Sequence, residues 1–573
     1  MITRSPGYLI AFCLLALLFL AACAGPASPT PFSPTEGPTL TPSPDPLPED
    51  ATVGAQIRRK RRLVVGVRYD LPPFGFVTDE GQLDGFSIDL GRELAERWLD
   101  NADAIAFKQV RSDTAIGHLE AGDVDLVIAA LHHTQEREAG ADFTPPYFID
   151  GQALLVRQSS AQSITEPGAL PNVPIGVTRW SAASDLLPGV VPFTPTLQTY
   201  DRFDEAVGAL ERGEVGAVAD LRRRLCWGMQ VAPETAIVAQ YTAVPVAIAH
   251  PQNDAFLANL VNLTLQEIAT DGTLDALYAR WLGAETPPQV AHWPGDELPD
   301  LEDAPASAEP IDTIGAIRSR GRLAAAIVSD YEPRAYRAPF AYMDAQSTPA
   351  GYEVDVVRQM AQRWLGDATA VDFHAVPLAT GQAMLRDGQV DLLIGGLTHT
   401  RAAEMAIDFS LSTYTGGEGF LIRPGTTVTS MQSLNGQQVA VMEGSASQEV
   451  LLAEAQNTGV SLSVIPQPSM EAALGALREG QVIAIGGERA DLLGFAHDSA
   501  DFVVMSARLT ETPIALGLPP GDSAFRDLIN LTLQTMTSDG QLAGIYGAWF
   551  DDGPPKILIW PGAPYRELSL TTP

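Results

Sequence analysis

The sequence predicts an α/β protein built from two tandem copies of one large domain. Short apolar runs rich in β-branched residues alternate along the chain with segments of helical periodicity, a pattern typical of α/β folds with mostly parallel sheets. Motifs in the first half recur in the same order between 266 and 268 residues later. The 573 residues, 46% hydrophobic and 18% charged, supply ample apolar material for two large domains or for three or four smaller ones.

Composition and charge exclude several classes of function. The formal net charge is −34, so the surface would repel phosphate groups, and we expect no nucleic-acid partner. The three cysteines, Cys13, Cys23 and Cys226, are too few for a disulfide scaffold or for a zinc site built on cysteine. Cys226 is expected to be a buried apolar residue.

The first fifty residues predict an export signal and a tether. Arg4 precedes the apolar run Tyr8–Ala22, which fits a secretory signal and is short for a membrane-spanning helix. The run ends at Cys23 and resembles the signal of bacterial lipoproteins, in which this cysteine becomes the lipidated first residue. Residues 1–23 are therefore expected to be a lipoprotein signal peptide with a lipidated Cys23, and the alternative is an ordinary signal peptide with a chance cysteine. Residues 24–50, rich in Pro, Ser and Thr, are expected to be a disordered tether between a lipid anchor and an extracytoplasmic folded part.

Self-comparison of the sequence reveals the duplication. The segment Asn262–Gln266 recurs as Asn530–Gln534, and Trp281 recurs as Trp549, both 268 residues later. A period of this length indicates a pair of whole domains rather than a solenoid of small repeats. The seam lies in an acidic, Pro- and Ala-rich stretch that lacks apolar periodicity. The predicted boundaries are a first domain at 51–296, a linker at 297–309 and a second domain at 310–573.

Strand and helix signals alternate within the first copy. Phe86, Leu90, Leu94 and Trp98 fall at helical spacing, which predicts a helix with one apolar face. The predicted strands are Leu63–Val67, Val124–Ala129, Ile175–Val177 and Val215–Ala219, and the predicted helices are Phe86–Trp98, Phe203–Leu210 and Phe256–Trp281, the last with a break near Asp271–Gly272. Copies of this size have room for two lobes each.

A series of short motifs follows in a fixed order in each copy. In the first copy these are Leu63–Val67, Pro72–Phe76, Leu83–Leu90, Leu119–Leu126, Thr134–Arg137, Asp142–Tyr147, Leu210–Asp220 and Asp271–Leu274 with Trp281. The series resembles the extracytoplasmic solute-binding proteins of family 3, the polar amino-acid receptors of ABC importers, over about residues 55–285 and again 312–552. The resemblance implies two type 2 periplasmic-binding-protein domains, each with two lobes that close on a ligand by hinge bending.

The resemblance also implies a ligand cleft in the first copy. Arg137 matches the family's arginine for the ligand carboxylate, and Asp220 matches the aspartate for the ligand ammonium. Thr134 is expected to cap the helix that carries Arg137, while His132 replaces a threonine that contacts the carboxylate in the family. If Arg68 and Arg179 face the cleft, an acidic amino acid is favoured; the alternative is that both are surface residues. The remaining candidate cleft residues are Ala130, Phe74 and Ser181.

The second copy departs from this pattern. It keeps Thr398, but Ala403 stands at the arginine position and Gly487 at the aspartate position. Arg401 and Glu488 lie within two residues of the vacated positions, so a local shift of the backbone would return their charges to the cleft. This copy is therefore expected to bind a different solute or none. Its candidate cleft residues are Thr398, Ser445, Arg401 and Glu488.

Three functions are compatible with the sequence. The leading one is a lipid-anchored receptor, without catalytic residues, cofactor or metal, that delivers an amino acid to an ABC permease. The alternatives are a ligand sensor for a separate signalling protein and a dehydratase-type enzyme on the same fold, for which no acid–base pair is identified. His132 and His133 are adjacent and lack an acidic partner at ligand spacing, so no metal site is predicted. The basic cluster Arg222–Arg224 is interpreted as solvated or paired.

Overall fold

The computed structural model describes residues 52–170, 173–179, 183–283, 285–290, 292–295, 298–306, 311–329, 339–443, 445–497, 499–505, 508–550, 553–562 and 570. The predicted signal peptide and tether, with Cys23, lie outside these residues, and so does Ser181. The described part contains both copies, called here the first repeat (52–295) and the second repeat (311–570).

The first repeat alternates strands and helices as the sequence predicts. Its described strands are β1 (Leu63–Val67), β2 (Asp70–Leu71), β3 (Gly75–Val77), β4 (Leu83–Asp84), β5 (Ile105–Gln109), β6 (Leu126–Val127), β7 (Asp142–Phe143), β8 (Phe148–Asp150), β9 (Gln152–Arg157), β10 (Ile175–Thr178), β11 (Leu197–Tyr200), β12 (Ala217–Leu221), β13 (Thr235–Val238), β14 (Val244–Val246) and β15 (Ala249–His250). Its described α-helices are Val53–Lys60, Phe86–Leu99, Ala115–Glu120, Ala183–Leu186, Phe203–Arg212, Arg222–Val231, Ala255–Thr270 and Thr273–Trp281.

The second repeat follows the same order. Its described strands are β16 (Leu323–Val328), β17 (Tyr342–Met343), β18 (Pro349–Ala350), β19 (Val371–Val376), β20 (Leu392–Thr398), β21 (Asp408–Phe409), β22 (Tyr414–Gly416), β23 (Glu418–Ile422), β24 (Gln438–Met442), β25 (Ser463–Gln467), β26 (Ala484–Glu488), β27 (Val503–Val504) and β28 (Thr512–Leu518). Its described α-helices are Thr313–Arg320, Tyr352–Leu365, Leu378–Arg386, Arg401–Glu404, Ala446–Thr458, Met470–Arg478, Arg489–His497, Ser523–Ser538 and Gln541–Trp549.

Each repeat has two lobes because its main strands form two separate sheets, which have five strands each in the first repeat, and six and five strands in the second, where β22 also pairs with β28. In the first repeat the strand orders are β5-β1-β6-β15-β7 and β11-β10-β12-β9-β13. In the second repeat the corresponding orders are β19-β16-β20-β28-β21 and β25-β24-β26-β23-β27. In the first repeat, the chain leaves lobe one after β8 and returns to it through β14, and these two strands pair with each other. The predicted tandem α/β architecture is therefore confirmed.

The sheets are mixed rather than mostly parallel, which differs from the expectation. In lobe one of the first repeat, β1 pairs in parallel with β5 and β6, but β15 pairs antiparallel with β6 and β7. The antiparallel strand arises because the chain re-enters lobe one from lobe two and runs against the strands already there. The last predicted helix divides as expected, since Gly272 adopts φ +87° between Ala255–Thr270 and Thr273–Trp281.

The duplicated motifs form equivalent contacts in the two cores. The Trp98 indole N–H donates to Thr264 Oγ1 at 2.9 Å, and the Trp364 indole donates to Thr532 Oγ1 at the same distance. Each tryptophan belongs to the long helix of its lobe, and each threonine belongs to the recurring Asn-Leu-Thr-Leu-Gln segment. A buried indole N–H needs an acceptor, so this pairing fixes how the two helices pack.

The two repeats contact each other through lobe one of each. Arg526 Nη2 lies 2.6 Å from Asp142 of the first repeat, and its Nη1 lies 3.4 Å from Asp408. The C-terminal segment of each repeat packs against the other repeat. The Trp293 ring lies 3.9 Å from the ring of His399, and the Trp560 ring lies 4.2 Å from the ring of His133.

The predicted linker is partly folded. Leu301 is buried in the core of the first repeat, and Arg58 Nη1 donates to the Ala304 carbonyl at 3.2 Å. Residues 298–306 thus pack against helix Val53–Lys60. Among the described helices, none combines the length and the apolar character required to cross a lipid bilayer.

Candidate functional site

Arg137 lies in lobe one, at the start of a short 3₁₀ turn, Arg137–Ala139. Its Nη1 donates to the His132 carbonyl at 2.6 Å and its Nη2 to the Ser112 carbonyl at 3.3 Å. Within the described part of the chain, no carboxylate forms an ion pair with this guanidinium. Burial and the nearby charge of Arg223 lower the pKa of Arg137. The site is thus arranged to gain from an added anion.

The expected threonine cap is absent in the first repeat and present in the second. The 3₁₀ turn Arg137–Ala139 has no side-chain cap, so the role predicted for Thr134 is wrong. A single turn leaves few backbone N–H groups for a cap to satisfy. In the second repeat, Thr400 Oγ1 accepts from Ala403 N at 3.1 Å at the start of helix Arg401–Glu404.

His132 pairs with a buried carboxylate that the sequence analysis missed. Its Nε2 lies 2.8 Å from Asp150 Oδ2, and Asp150 has no exposed surface. Burial lowers the pKa of His132, and the hydrogen bond that its ring N–H donates to Asp150 opposes that shift. Burial alone would raise the pKa of Asp150, but His132 and Arg223 leave it lowered, so the carboxylate is charged. Asp150 ends β8 and lies 18 residues from His132 along the chain. No local sequence pattern therefore indicates that these two residues pair.

Asp220 lies on β12 in lobe two and is buried. Its Oδ2 accepts from Thr178 Oγ1 at 2.5 Å and from Arg224 Nη1 at 3.0 Å, while Oδ1 accepts from Leu221 N at 2.7 Å. The carboxylate that matches the family's ammonium partner is therefore already paired with a cation of the same repeat.

Arg223 bridges the two lobes of the first repeat. From helix Arg222–Val231 of lobe two, its Nη1 reaches the Ala130 carbonyl at 3.0 Å, His132 Nε2 at 2.9 Å and Asp150 Oδ2 at 3.3 Å. Arg224 pairs with Asp220, so the prediction of a solvated or paired cluster is confirmed as pairing. No local pattern in the sequence indicates that Arg223 of this cluster crosses between the lobes.

The other candidates of the first repeat occupy different environments. Arg68 pairs with Asp70, and its Nη1 donates to Ser112 Oγ at 3.0 Å, close to the backbone that Arg137 contacts. Phe74 is fully buried, with its ring 5.2 Å from the ring of Phe148 and 5.8 Å from that of Phe86, so it belongs to the core.

Arg179 pairs with Asp201 at 2.5 Å, and both side chains are more than half exposed. This geometry favours the surface interpretation of Arg179. Cys226 is buried, as predicted, and burial raises the pKa of its thiol to about 12.

The candidates of the second repeat do not rebuild the charge pattern of the first. Arg401 is buried at the contact between repeats, where its N–H donates to the Pro294 carbonyl at 2.9 Å and Nη1 lies 3.6 Å from Glu267. Glu488 Oε1 accepts from Gly417 N at 2.8 Å. Burial raises the pKa of the adjacent Glu418 to about 7, and the charge of Glu488 adds to the shift.

The remaining two candidates of the second repeat have neutral partners. Thr398 is half-buried at the end of β20, where it pairs with Ile514 of β28. Ser445 Oγ donates to the Met442 carbonyl at 2.8 Å, just before helix Ala446–Thr458. Neither position supplies a cation to replace the missing arginine.

One carboxylate cluster at the contact between repeats has the spacing of a metal site. Oxygens of Glu138, Asp142 and Asp527 lie within 4.8 Å of one another, and all three residues are buried. Arg526 already supplies a cation to this cluster through Asp142. The arrangement is balanced by a guanidinium, so it does not require a metal ion.

Comparisons with known proteins identify what the chain is similar to. The family model described as "Bacterial extracellular solute-binding proteins, family 3" matches residues 63–284 and 333–552. The ABC transporter glutamine-binding protein GlnH of Bacillus subtilis is 26% identical over 244 residues, 42% of this chain and 86% of that protein. The glutamine-binding protein of Geobacillus stearothermophilus is 31% identical over 229 residues, 38% of this chain and 82% of that protein.

Solved structures of single-domain length also match. The structure of an ancestral cationic amino acid solute-binding protein (AncCDT-1) is 28% identical, covers 40% of this chain and 100% of its own, and gives a TM-score of 0.37.

Proposed function

Because the chain belongs to the bacterial extracellular solute-binding proteins of family 3, we propose that its first repeat is a receptor that binds a polar amino acid and delivers it to an ABC importer. The observation that carries this proposal is the guanidinium of Arg137, which is half-buried, held by two backbone carbonyls and without a carboxylate partner among the described residues. A ligand carboxylate would complete its bonding.

The names of the relatives support this class of ligand. Two of them are glutamine-binding proteins, one of which is a component of an ABC transporter. Other relatives are named as binding proteins for cystine and for glutamate. The proposed role is extracytoplasmic binding without catalysis, with the permease as the membrane partner.

The second repeat has a different proposed role. Ala403 and Gly487 remove a cation and an anion from positions where the first repeat has Arg137 and Asp220. We therefore assign ligand capture to the first repeat and treat the second as a degenerate copy that supports it structurally. The contacts of Arg401 with Pro294 and Glu267 favour this assignment, because they commit its charge to the contact between repeats.

The binding site is tested by two substitutions in the full chain. Arg137→Ala leaves the ligand carboxylate unpaired, a loss of roughly 3–5 kcal/mol in binding free energy. Asp220→Asn keeps the side-chain shape but removes the carboxylate charge that pairs with Arg224 in lobe two, so it should weaken binding less than Arg137→Ala does. Both are measured by calorimetric titration with the twenty amino acids. Arg212→Ala, which removes an exposed pair with Glu214, is the control. If Arg137→Ala binds the ligand with unchanged affinity, the proposed binding site is wrong.

Anchoring is tested separately at Cys23. A lipidated cysteine is the sole expected attachment to the membrane, so Cys23→Ser should release the protein into the soluble fraction or stop its maturation. Fractionation of cells that express each form provides the measurement. A Cys23→Ser protein that is processed normally and remains in the membrane fraction would contradict lipid anchoring.

A further inference from the structure

The acceptors available to a ligand ammonium in the first repeat are already occupied by the protein. An ammonium group requires carbonyl or carboxylate oxygens, and the proposed cleft offers the Ala130 carbonyl and the Asp220 carboxylate. Arg223 Nη1 donates to the first at 3.0 Å, and Arg224 Nη1 donates to the second at 3.0 Å. An incoming ammonium would compete with two guanidinium groups for these oxygens.

Arg223 is held firmly in this position. Asp150 accepts from the Arg223 backbone N–H at 3.1 Å and lies 3.3 Å from its Nη1, so one buried carboxylate fixes both ends of the residue. His132 contacts the same carboxylate and the same Nη1. Displacing the Arg223 guanidinium would leave the buried Asp150 carboxylate with His132 and one backbone N–H but no guanidinium to stabilise its charge, which is costly.

The charges around the cleft favour anionic groups on the ligand. Arg68, Arg223 and Arg224 have the carboxylate partners Asp70, Asp150 and Asp220, respectively, whereas Arg137 has none among the described residues. Within the part of the chain that the structure describes, the partners of the Arg223 side chain all lie at Nη1. The Nε and Nη2 groups of Arg223 are therefore available as donors. Together they have the geometry to bind one carboxylate through two hydrogen bonds.

We propose that the first repeat recognises a dicarboxylate, with Arg137 binding one carboxylate and Arg223 the other, and that the Arg223 guanidinium takes the place of a ligand ammonium. This inference rests on the proposed function, because it assumes that the cleft of the first repeat is the binding site. It makes the amino group of the ligand dispensable and the second carboxylate essential. An acidic amino acid and the corresponding dicarboxylic acid share this chemistry.

Three ligands that differ by one group separate these requirements. Glutamate has both carboxylates and the ammonium, glutarate lacks the ammonium, and glutamine lacks the second carboxylate. In calorimetric titration of the full chain, glutarate should bind within about tenfold of glutamate. Glutamine should bind at least about 100-fold more weakly, since it leaves Arg223 without its anion.

The Arg223→Gln variant tests the residue itself. Without the guanidinium, the Ala130 carbonyl becomes available to an ammonium, so the ratio of glutamate to glutarate affinity should rise by at least about tenfold. The preference for glutamate over glutamine should fall by a similar factor. Arg212→Gln, on the exposed surface of the same lobe, should leave all three affinities unchanged. Circular dichroism of both variants identifies any loss of folding.

The outcomes distinguish this inference from the proposed function. If glutamine binds the wild-type protein as tightly as glutamate, or if glutarate binds more than about 100-fold more weakly than glutamate, the role of Arg223 is refuted while the amino-acid receptor stands. If neither the twenty amino acids nor glutarate bind, the proposed function fails and the inference fails with it.

Discussion

A histidine and a glutamate form a buried pair on each side of the contact between repeats. His133 contacts Glu138 in the first repeat, and His399 Nε2 lies 2.7 Å from Glu404 in the second. In the first pair, burial raises the pKa of Glu138 to about 8, with a further contribution from Asp142, and burial lowers the pKa of His133 to about 3. Both groups are therefore neutral near pH 7, and the protonated Glu138 carboxyl donates a hydrogen bond to His133 Nε2.

This pair predicts a decline in stability on the alkaline side of neutrality. Between its ordinary pKa and about 8, Glu138 holds a proton in the folded protein that it has lost in the unfolded chain, so stability falls as pH rises. Above about pH 6.5 the unfolded histidines no longer bind protons, which removes their opposing effect. The Asp408 carboxyl, whose pKa burial raises to about 7, acts in the same direction as Glu138.

Glu138→Gln should therefore reduce this decline. A glutamine keeps the shape of the side chain but cannot ionise, so its free energy of unfolding should fall less between about pH 6.5 and about pH 8. The difference should be up to about 1.4 kcal/mol per pH unit. Urea-induced unfolding at the two pH values measures it, with the exposed Glu80→Gln as control. Equal declines in wild type and Glu138→Gln would show that Glu138 is already ionised in the folded protein.

The sequence alone predicts only part of the candidate site. Arg137 and Asp220 stand at motif positions, so both could be chosen as candidate site residues from the sequence. Their neighbours could not, because Asp150 and Arg223 reach His132 from other strands and helices, 18 and 91 residues away. Pairs of this kind depend on sheet register and lobe closure, which single-residue patterns do not encode.

At the scale of elements, one aspartate in each repeat caps two helices. Asp254 Oδ1 accepts from Leu257 N at 3.0 Å, at the start of helix Ala255–Thr270, and its Oδ2 accepts from Val53 N at 2.9 Å. Asp522 has the same double role in the second repeat. Each carboxylate thereby joins the first helix of its repeat to a helix near its end, 201 residues away in the case of Asp254.

Replacing this aspartate should cost more than the loss of an ordinary cap. Asp254→Ala removes the acceptor from two helix starts at once, and we expect a loss of about 2 kcal/mol in the free energy of unfolding, the upper end for one N-cap. Asp254→Asn retains one oxygen and should lose about half as much. Urea denaturation measures both. Asp275, in the first turn of helix Thr273–Trp281, makes no cap bond, so a loss no larger than that of Asp275→Ala would show that neither cap bond of Asp254 contributes.

Element boundaries were predicted where a local residue determines them. The break between the last two helices of the first repeat followed from Gly272, whose positive φ suits glycine. The strand predicted at Val124–Ala129 is shorter, at Leu126–Val127, because only these residues pair regularly with their neighbours. The antiparallel strands were missed because the path of the chain between lobes leaves no periodic signal.

At the scale of the whole molecule, the repeats depend on each other through their exchanged ends. Trp293 packs on His399 of the second repeat, and Trp560 packs on His133 of the first. The segment Trp293-Pro-Gly of the first repeat recurs as Trp560-Pro-Gly in the second. A repeat period shows which residues correspond, but it does not show which residues are in contact. An isolated repeat would lack the tryptophan that its partner supplies, so binding experiments are best made on the full chain.

We expect the full chain to bind one ligand molecule, in its first repeat. Arg137 and Asp220 have no equivalents in the second repeat, and Arg401 is committed to Pro294 and Glu267 of the first. Closure of a lobe pair needs contacts that exist only in the closed form, so the second repeat has little to gain from the same ligand. Calorimetric titration with glutamate should give one site per chain, and any second site should be at least about 100-fold weaker.

Arg137→Ala serves as the matched variant for this titration. It should remove the single site and leave no binding in the same concentration range, because the second repeat has no arginine in the corresponding position. A stoichiometry of two in the wild type, or one remaining site of wild-type affinity in Arg137→Ala, would mean that the second repeat binds the ligand. Glu488 and Glu418, which lie opposite each other on neighbouring strands of that repeat, would then be the charges to examine.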